Sequence, residues 1–96
     1  MTTKVIGLIQ LTDPAAFEIY RGQVGATVEQ YGGQIAFRGE VLESFWNELG
    51  GQAFNTYVEL SFPRPEDARA WAASPEYQAL VPIRSQAMRL TLFAVN

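Results

Sequence analysis

Cysteine and histidine are both absent from this chain of 96 residues. Without cysteine there is no disulfide framework, no thiol nucleophile and no thiolate metal site. Without histidine the commonest metal ligand and the usual proton shuttle near neutral pH are missing too. A metal would have to rest on oxygen ligands alone, and Glu40, Glu43 and Glu48 lack the spacing of a calcium loop. Haem is disfavoured on the same ground, because its axial ligand would be Tyr, Met or none. The residue types therefore imply no cofactor and no metal. Basic residues are also scarce: 7 Lys and Arg stand against 10 Asp and Glu, for a net charge of -3. Binding a phosphate backbone draws on counterion release by clustered cations, so no nucleic-acid partner is expected. The opening MTTKVIGLIQLTD has one short apolar run that stops at Asp13. It is too short to span a bilayer and has no small-residue cleavage site, so no membrane association and a cytoplasmic location are expected. Gly32-Gly33 and Gly50-Gly51 lack phosphate-loop spacing, and no Ser sits in a nucleophile elbow.

What is present is ordinary globular material, 48% hydrophobic and 18% charged, with no polar tail. One domain over residues 1–96 is expected, small enough that a partner subunit would add much to its stability. Residues 4–11, KVIGLIQL, are apolar and β-branched almost throughout, the pattern of a central strand covered on both faces. Asp13 then caps a helix whose first position is Pro14, where the missing N–H costs nothing. Phe17, Tyr20, Val24, Thr27, Val28 and Tyr31 recur at spacings of three and four, giving one apolar stripe. Gly22 and Gly25 weaken this helix by about 1 kcal/mol each relative to alanine, and Gly32-Gly33 end it.

A second strand region is expected over Gln34–Phe45, with a bulge or bend at Gly39. WNELGGQA reads as a loop, after which FNTYVELSF alternates. Phe54, Thr56, Val58, Leu60 and Phe62 fall on one face and Asn55, Tyr57, Glu59 and Ser61 on the other. Pro63 and Pro65 stop this strand and start a helix, with Glu66 and Asp67 in the first turn, where the helix dipole favours negative charge. Ala68, Trp71 and Ala72 form its inner face, with Trp71 in the core. Ser74-Pro75 repeats the pattern of cap and proline, placing Tyr77, Leu80 and Val81 on one side, and Pro82 bends or restarts the segment. MRLTLFAV closes the chain as a strand.

Strand, helix, strand, strand, helix, strand in a single α+β domain is the ferredoxin-like βαββαβ arrangement, a four-stranded antiparallel sheet with both helices on one face. The other face stays bare. It carries Ile6, Leu8, Phe93 and Val95 beside Tyr57, Glu59 and Arg89, and apolar patches of this kind mark association. Two copies closing face to face would enclose a barrel with a mixed interior.

The segments DPAAFEIYR, GGQIAFRG with VLES after it, ELSFP and above all ARAWAASPEYQALVPIR resemble the DUF1330 family, a domain of unknown function in the dimeric α/β barrel group. The resemblance runs over nearly the whole chain and implies a ferredoxin-like fold and a homodimer. Relatives of the barrel include cofactor-free monooxygenases, isomerases and haem-handling proteins, so it implies no single activity.

Strand alternation nominates the polar residues of such a chamber. Tyr57, Glu59 and Ser61 share the bare face with Gln10 and Arg89, and Arg38 joins them depending on the bend at Gly39. Glu59 is either a desolvated general base or a carboxylate paired structurally with a cation. Glu43 and Arg84, both in the resembling segments, can converge across the dimer as a buried pair or as ligand anchors. Tyr20 and Tyr77 are core aromatics with hydrogen-bonded hydroxyls, and Trp46 either plugs the barrel mouth or meets a partner or ligand. Arg38, Glu43, Tyr57, Glu59 and Arg84 are thus the candidate ligand-binding residues. The expected function is a homodimer that binds a small, partly apolar organic molecule, with cofactor-independent monooxygenase or isomerase chemistry. The alternative is a non-enzymatic dimerisation or ligand-sequestering module. An RNA-binding version of the fold would carry stacking aromatics beside Arg and Lys on its third strand, where this chain has Tyr57 beside Glu59.

Overall fold

The first turn after β1 (Thr3–Leu11) shows how local chemistry sets the architecture. The Asp13 carboxylate accepts from the backbone N–H groups of Ala15 at 3.1 Å and Ala16 at 3.2 Å, and Pro14 opens α1 (Pro14–Gln30). These donors would otherwise go unpaired, so the cap fixes where the helix begins. The structure, a computed structural model, describes residues 2–96. After α1 come β2 (Gln34–Glu40), β3 (Thr56–Phe62), α2 (Pro65–Ala73), α3 (Pro75–Gln78), α4 (Val81–Ala87) and β4 (Met88–Val95). Each of the four helices carries a proline in its first turn.

The strands form one antiparallel sheet in the order β2-β3-β1-β4, with the helices on one face, which is the ferredoxin-like fold. β1 is central, but only one of its faces is covered within the chain. Val5 and Ile9 are buried against the helices, while Lys4, Ile6 and Leu8 on the other side remain half-exposed. Trp71 and Phe62, each 1% exposed, form the centre of the core with ring centroids 5.6 Å apart. The Trp71 indole donates to Thr27 Oγ1 at 3.1 Å, and Thr27 donates to the Val24 carbonyl at 2.7 Å. Ser74 caps α3 by accepting from the Tyr77 N–H at 3.1 Å and donates to the Trp71 carbonyl. The Ser-Pro step thereby joins α2 to α3 without orphaning a buried polar group.

The second strand differs from the sequence expectation in two ways. It ends at Glu40, not Phe45, because its partner β3 begins at Thr56, opposite Glu40. Residues 41–55 have no strand to pair with, and a ladder extends only as far as its partner. They leave the sheet as a loop whose base is tied by the Val41 N–H to the Asn55 carbonyl at 3.0 Å and by the Asn55 N–H to the Ile9 carbonyl at 2.9 Å. The register shift lies between Ile35 and Phe37, not at Gly39, which pairs in step with Tyr57. One extra residue, Ala36, therefore sits opposite nothing. Ile35 faces Leu60 and Arg38 faces Val58, both on the helix-covered side, although three positions separate them.

Candidate functional site

A cavity of about 390 Å³ lies between α1 and the helix-covered side of the sheet. This is within the range of sites that hold small organic ligands, roughly 300–1,000 Å³. Its walls are mainly apolar: Phe17 and Val24 from α1, Val58 and Leu60 from β3, Leu90 and Leu92 from β4. The alternation of β3 and β4 faces these side chains toward α1, so the pattern that builds the core also lines the chamber. Exposed Glu18, Arg21, Arg38 and Glu40 form the polar mouth. Strand alternation pointed to a chamber between two bare sheet faces; the cavity within the chain is on the opposite side of the sheet.

Tyr20 is the phenol of the cavity wall. It is buried, lines the cavity, and its hydroxyl lies 3.0 Å from that of Tyr77. Arg84 donates to the Tyr77 hydroxyl at 3.0 Å, and its guanidinium carbon lies 5.6 Å from the centroid of the same ring. Burial, then the neighbouring Tyr77 hydroxyl, holds the Tyr20 phenol well above its usual ionisation range, with Arg84 and Arg38 pulling the other way. Tyr20 is thus a neutral hydrogen-bonding group at any working pH. Arg38 reaches the mouth through the phase change at Ala36. Desolvation, then the nearby Arg21, lowers its pKa, and it makes no ion pair with any carboxylate among the described residues.

The bare face carries a different constellation. Glu59 accepts from Lys4 Nζ at 2.9 Å and from the Tyr57 hydroxyl at 3.1 Å, and the Tyr57 ring meets Phe37 edge-on at 6.1 Å. The Lys4 bond first, then that of Tyr57, holds the Glu59 carboxyl below the usual carboxylate range. Burial and Glu59 push the Tyr57 phenol up. Phe93 and Val95 remain about four-tenths exposed here, 42% and 43%.

Of the residues nominated from sequence, Arg38 stands at the cavity mouth and Tyr57 is counted among the lining residues, although its hydroxyl turns to Glu59 on the far face. Glu59 belongs to the bare face. Arg84 acts behind Tyr77, one residue removed from the cavity. Glu43 is exposed in the 41–55 loop and makes no ion pair with Arg84 among the described residues. Trp46, in the same loop, is 81% exposed and plugs nothing within the chain. Sequence reading placed Tyr20 in the core but missed its position at the cavity wall. The available signal was a phenol, able to hydrogen-bond, inside an otherwise apolar stripe. Lys4, the partner of Glu59, was also missed.

A family model described as a domain of unknown function, DUF1330, matches residues 4–96. No curated protein matches the sequence. Among solved structures, the RPA0582 protein of unknown function from Rhodopseudomonas palustris is similar at TM-score 0.77 and 16% identity, covering 98% of this chain and 80% of its own. A dimeric ferredoxin-like protein of unknown function from Jannaschia sp. CCS1 is similar at TM-score 0.68 and 9% identity, covering 100% and 99%. SnoaB, a cofactor-independent oxygenase from Streptomyces nogalater, is similar at TM-score 0.68 and 13% identity, covering 99% and 91%. At such identities the likeness shows the fold.

Proposed function

The chain belongs to the DUF1330 family, a domain of unknown function, and from that premise we propose that it is a homodimer holding a small, partly apolar organic molecule in the cavity between α1 and the sheet. The carrying observation is the cavity itself: about 390 Å³, mostly apolar, with Tyr20 in its wall and Arg38 at the mouth. The pattern is that of a ligand site, an apolar wall with a few placed polar groups. Dimerisation is supported by the half-exposed apolar side chains of the bare face and by the dimeric state of a structural neighbour.

The finer reading is cofactor-independent oxygenase or isomerase chemistry. It is supported by the likeness to SnoaB at the level of fold and by the kind of groups at the site. A neutral phenol and a guanidinium near one point suit a developing enolate oxygen, and Glu18 and Glu40 are the carboxylates that line the mouth. A second reading, a non-enzymatic interaction module, is favoured by the 41–55 loop. It exposes Leu42, Phe45, Trp46 and Leu49, each at least 77% accessible.

Native mass spectrometry of the purified protein tests the first reading, together with titration by the uncharged apolar dye Nile red. The expected result is a dimer that takes up dye, with uptake lost in Leu92→Trp, which fills the chamber from a half-buried wall position. A monomer that takes no guest overturns it.

A further inference from the structure

The hydrogen bonds around Tyr77 have a direction. A guanidinium only donates, so the Tyr77 oxygen accepts from Arg84 and its own single proton must go elsewhere. Tyr77 is 2% exposed, and the only other group bonded to its hydroxyl among the described residues is the Tyr20 hydroxyl, 3.0 Å away. If Tyr20 donated to Tyr77, the Tyr77 proton would be left buried without an acceptor, which native structures avoid. The chain therefore runs from Arg84 to Tyr77 to Tyr20. The Tyr20 proton then has no acceptor among the described residues, and Tyr20, 9% exposed against 2% for Tyr77, is the one of the two that lines the cavity.

The charge at the mouth points the same way. Arg38 sits near a second cation, Arg21, while Arg21 is itself met by Glu18 at 3.6 Å. No carboxylate pairs with Arg38 among the described residues. Glu18 and Glu40 balance the two arginines in number, but neither lies within ion-pair distance of Arg38. A phenol donor at the wall and a guanidinium with no direct partner are complementary to negative oxygen, and the remaining walls are complementary to hydrocarbon.

We infer that the guest is an aromatic or alicyclic organic anion, its charged oxygen accepting from the Tyr20 hydroxyl and facing Arg38, its ring against Phe17, Val58 and Leu92. This rests on the cavity being a ligand site, as proposed above, and adds the charge class of the ligand. The tightly held phenol proton fits a donor that stays protonated beside an anion.

Calorimetric titration with naphthoate, its uncharged analogue naphthamide and the cation naphthylmethylammonium separates the two claims. Wild-type protein is expected to bind naphthoate about tenfold more tightly than naphthamide, the effect of one charge-assisted contact, and the cation least. Arg38→Gln, at an exposed position that leaves the core untouched, is expected to erase the preference for naphthoate by weakening naphthoate far more than naphthamide. Tyr20→Phe is expected to weaken both, since each offers an acceptor oxygen. Equal affinity for naphthoate and naphthamide, or an unchanged preference in Arg38→Gln, overturns the anion inference and leaves the cavity reading standing. Failure of all three probes and of Nile red to bind overturns both.

Discussion

The hydroxyls of Tyr20 and Tyr77 lie 3.0 Å apart, their rings edge-on at 76°. This bond couples α1 to α3. Tyr20→Phe orphans a buried donor on Tyr77 and is expected to cost about 1–3 kcal/mol, whereas Tyr77→Phe costs less because the half-exposed Arg84 can turn to water. The double substitution is expected to cost less than the sum by about 0.5–1.5 kcal/mol. Urea unfolding of the four proteins gives the cycle, and strict additivity would show that the bond contributes nothing.

Two glycines should respond in opposite ways to alanine. A Cβ on Gly33 would stand 2.6 Å from the Phe62 ring and 2.9 Å from the Ser61 carbonyl oxygen. Phe62 is 1% exposed and has nowhere to move, so Gly33→Ala should destabilise by about 1–3 kcal/mol. On Gly22 a Cβ meets nothing within 4 Å, and Gly22→Ala in α1 should stabilise by about 0.4–1 kcal/mol. Thermal unfolding of both variants checks the sign, and a neutral Gly33→Ala would mean that the β2 start is looser than drawn.

Stability should fall at both ends of the pH scale, for different residues. The folded-state pKa of Glu59 is depressed below 4.5. The unfolded chain therefore takes up its proton first as pH drops, and the stability Glu59 contributes above that value is lost as pH falls through the folded one. Asp13, lowered by Gln86 and by its helix-cap bonds, acts in the same direction. The Tyr20 phenol is raised above its ordinary 10.0. Its contribution is complete below 10.0 and is lost as pH climbs toward the folded value, because the unfolded chain ionises first. Chemical denaturation across pH should show a shallower acid limb in Glu59→Gln and a shallower alkaline limb in Tyr20→Phe. Limbs unchanged by these substitutions would refute the assignment.

Charge on the bare face should separate subunits. Phe93, paired with Ile6 across β1 and β4, sits in the apolar part of that face. In the proposed dimer Phe93→Glu would place a carboxylate between the subunits, where an unpaired charge is strongly disfavoured. Sedimentation equilibrium should show dimers for the wild-type chain and monomers for the variant, with Nile red uptake retained because the cavity is on the other side of the sheet. A variant that remains dimeric would locate the interface elsewhere.

Much of this architecture was legible because its signals are local. Asp13-Pro14, Pro63 through Pro65 and Ser74-Pro75 mark helix starts by chemistry confined to a few neighbouring residues, and the alternation of residues 56–62 assigns faces without reference to partners. The errors arose where a distant residue decides. VLESF is apolar enough to look extended, but β3 offers it no partner. Nothing in QIAFRGE marks Ala36 as the extra residue, since a bulge is fixed by the ladder it interrupts. The cavity depends on how far α1 stands from the sheet, and the Tyr20–Tyr77 and Lys4–Glu59 bonds join residues 57 and 55 positions apart. Sequence patterns place such residues on faces but do not measure the space between them.

The extra residue at Ala36 also bears on how kindred chains are to be lined up. Ile35 and Arg38 point the same way although an odd number of steps separates them. A straight strand of equal length, matched column by column, would turn the corresponding arginine outward and away from the mouth. A strand one residue shorter or longer keeps it inward with no irregularity at all. The position of a single gap, as much as the identity of the residue beside it, thus decides whether a homologue inherits this charge.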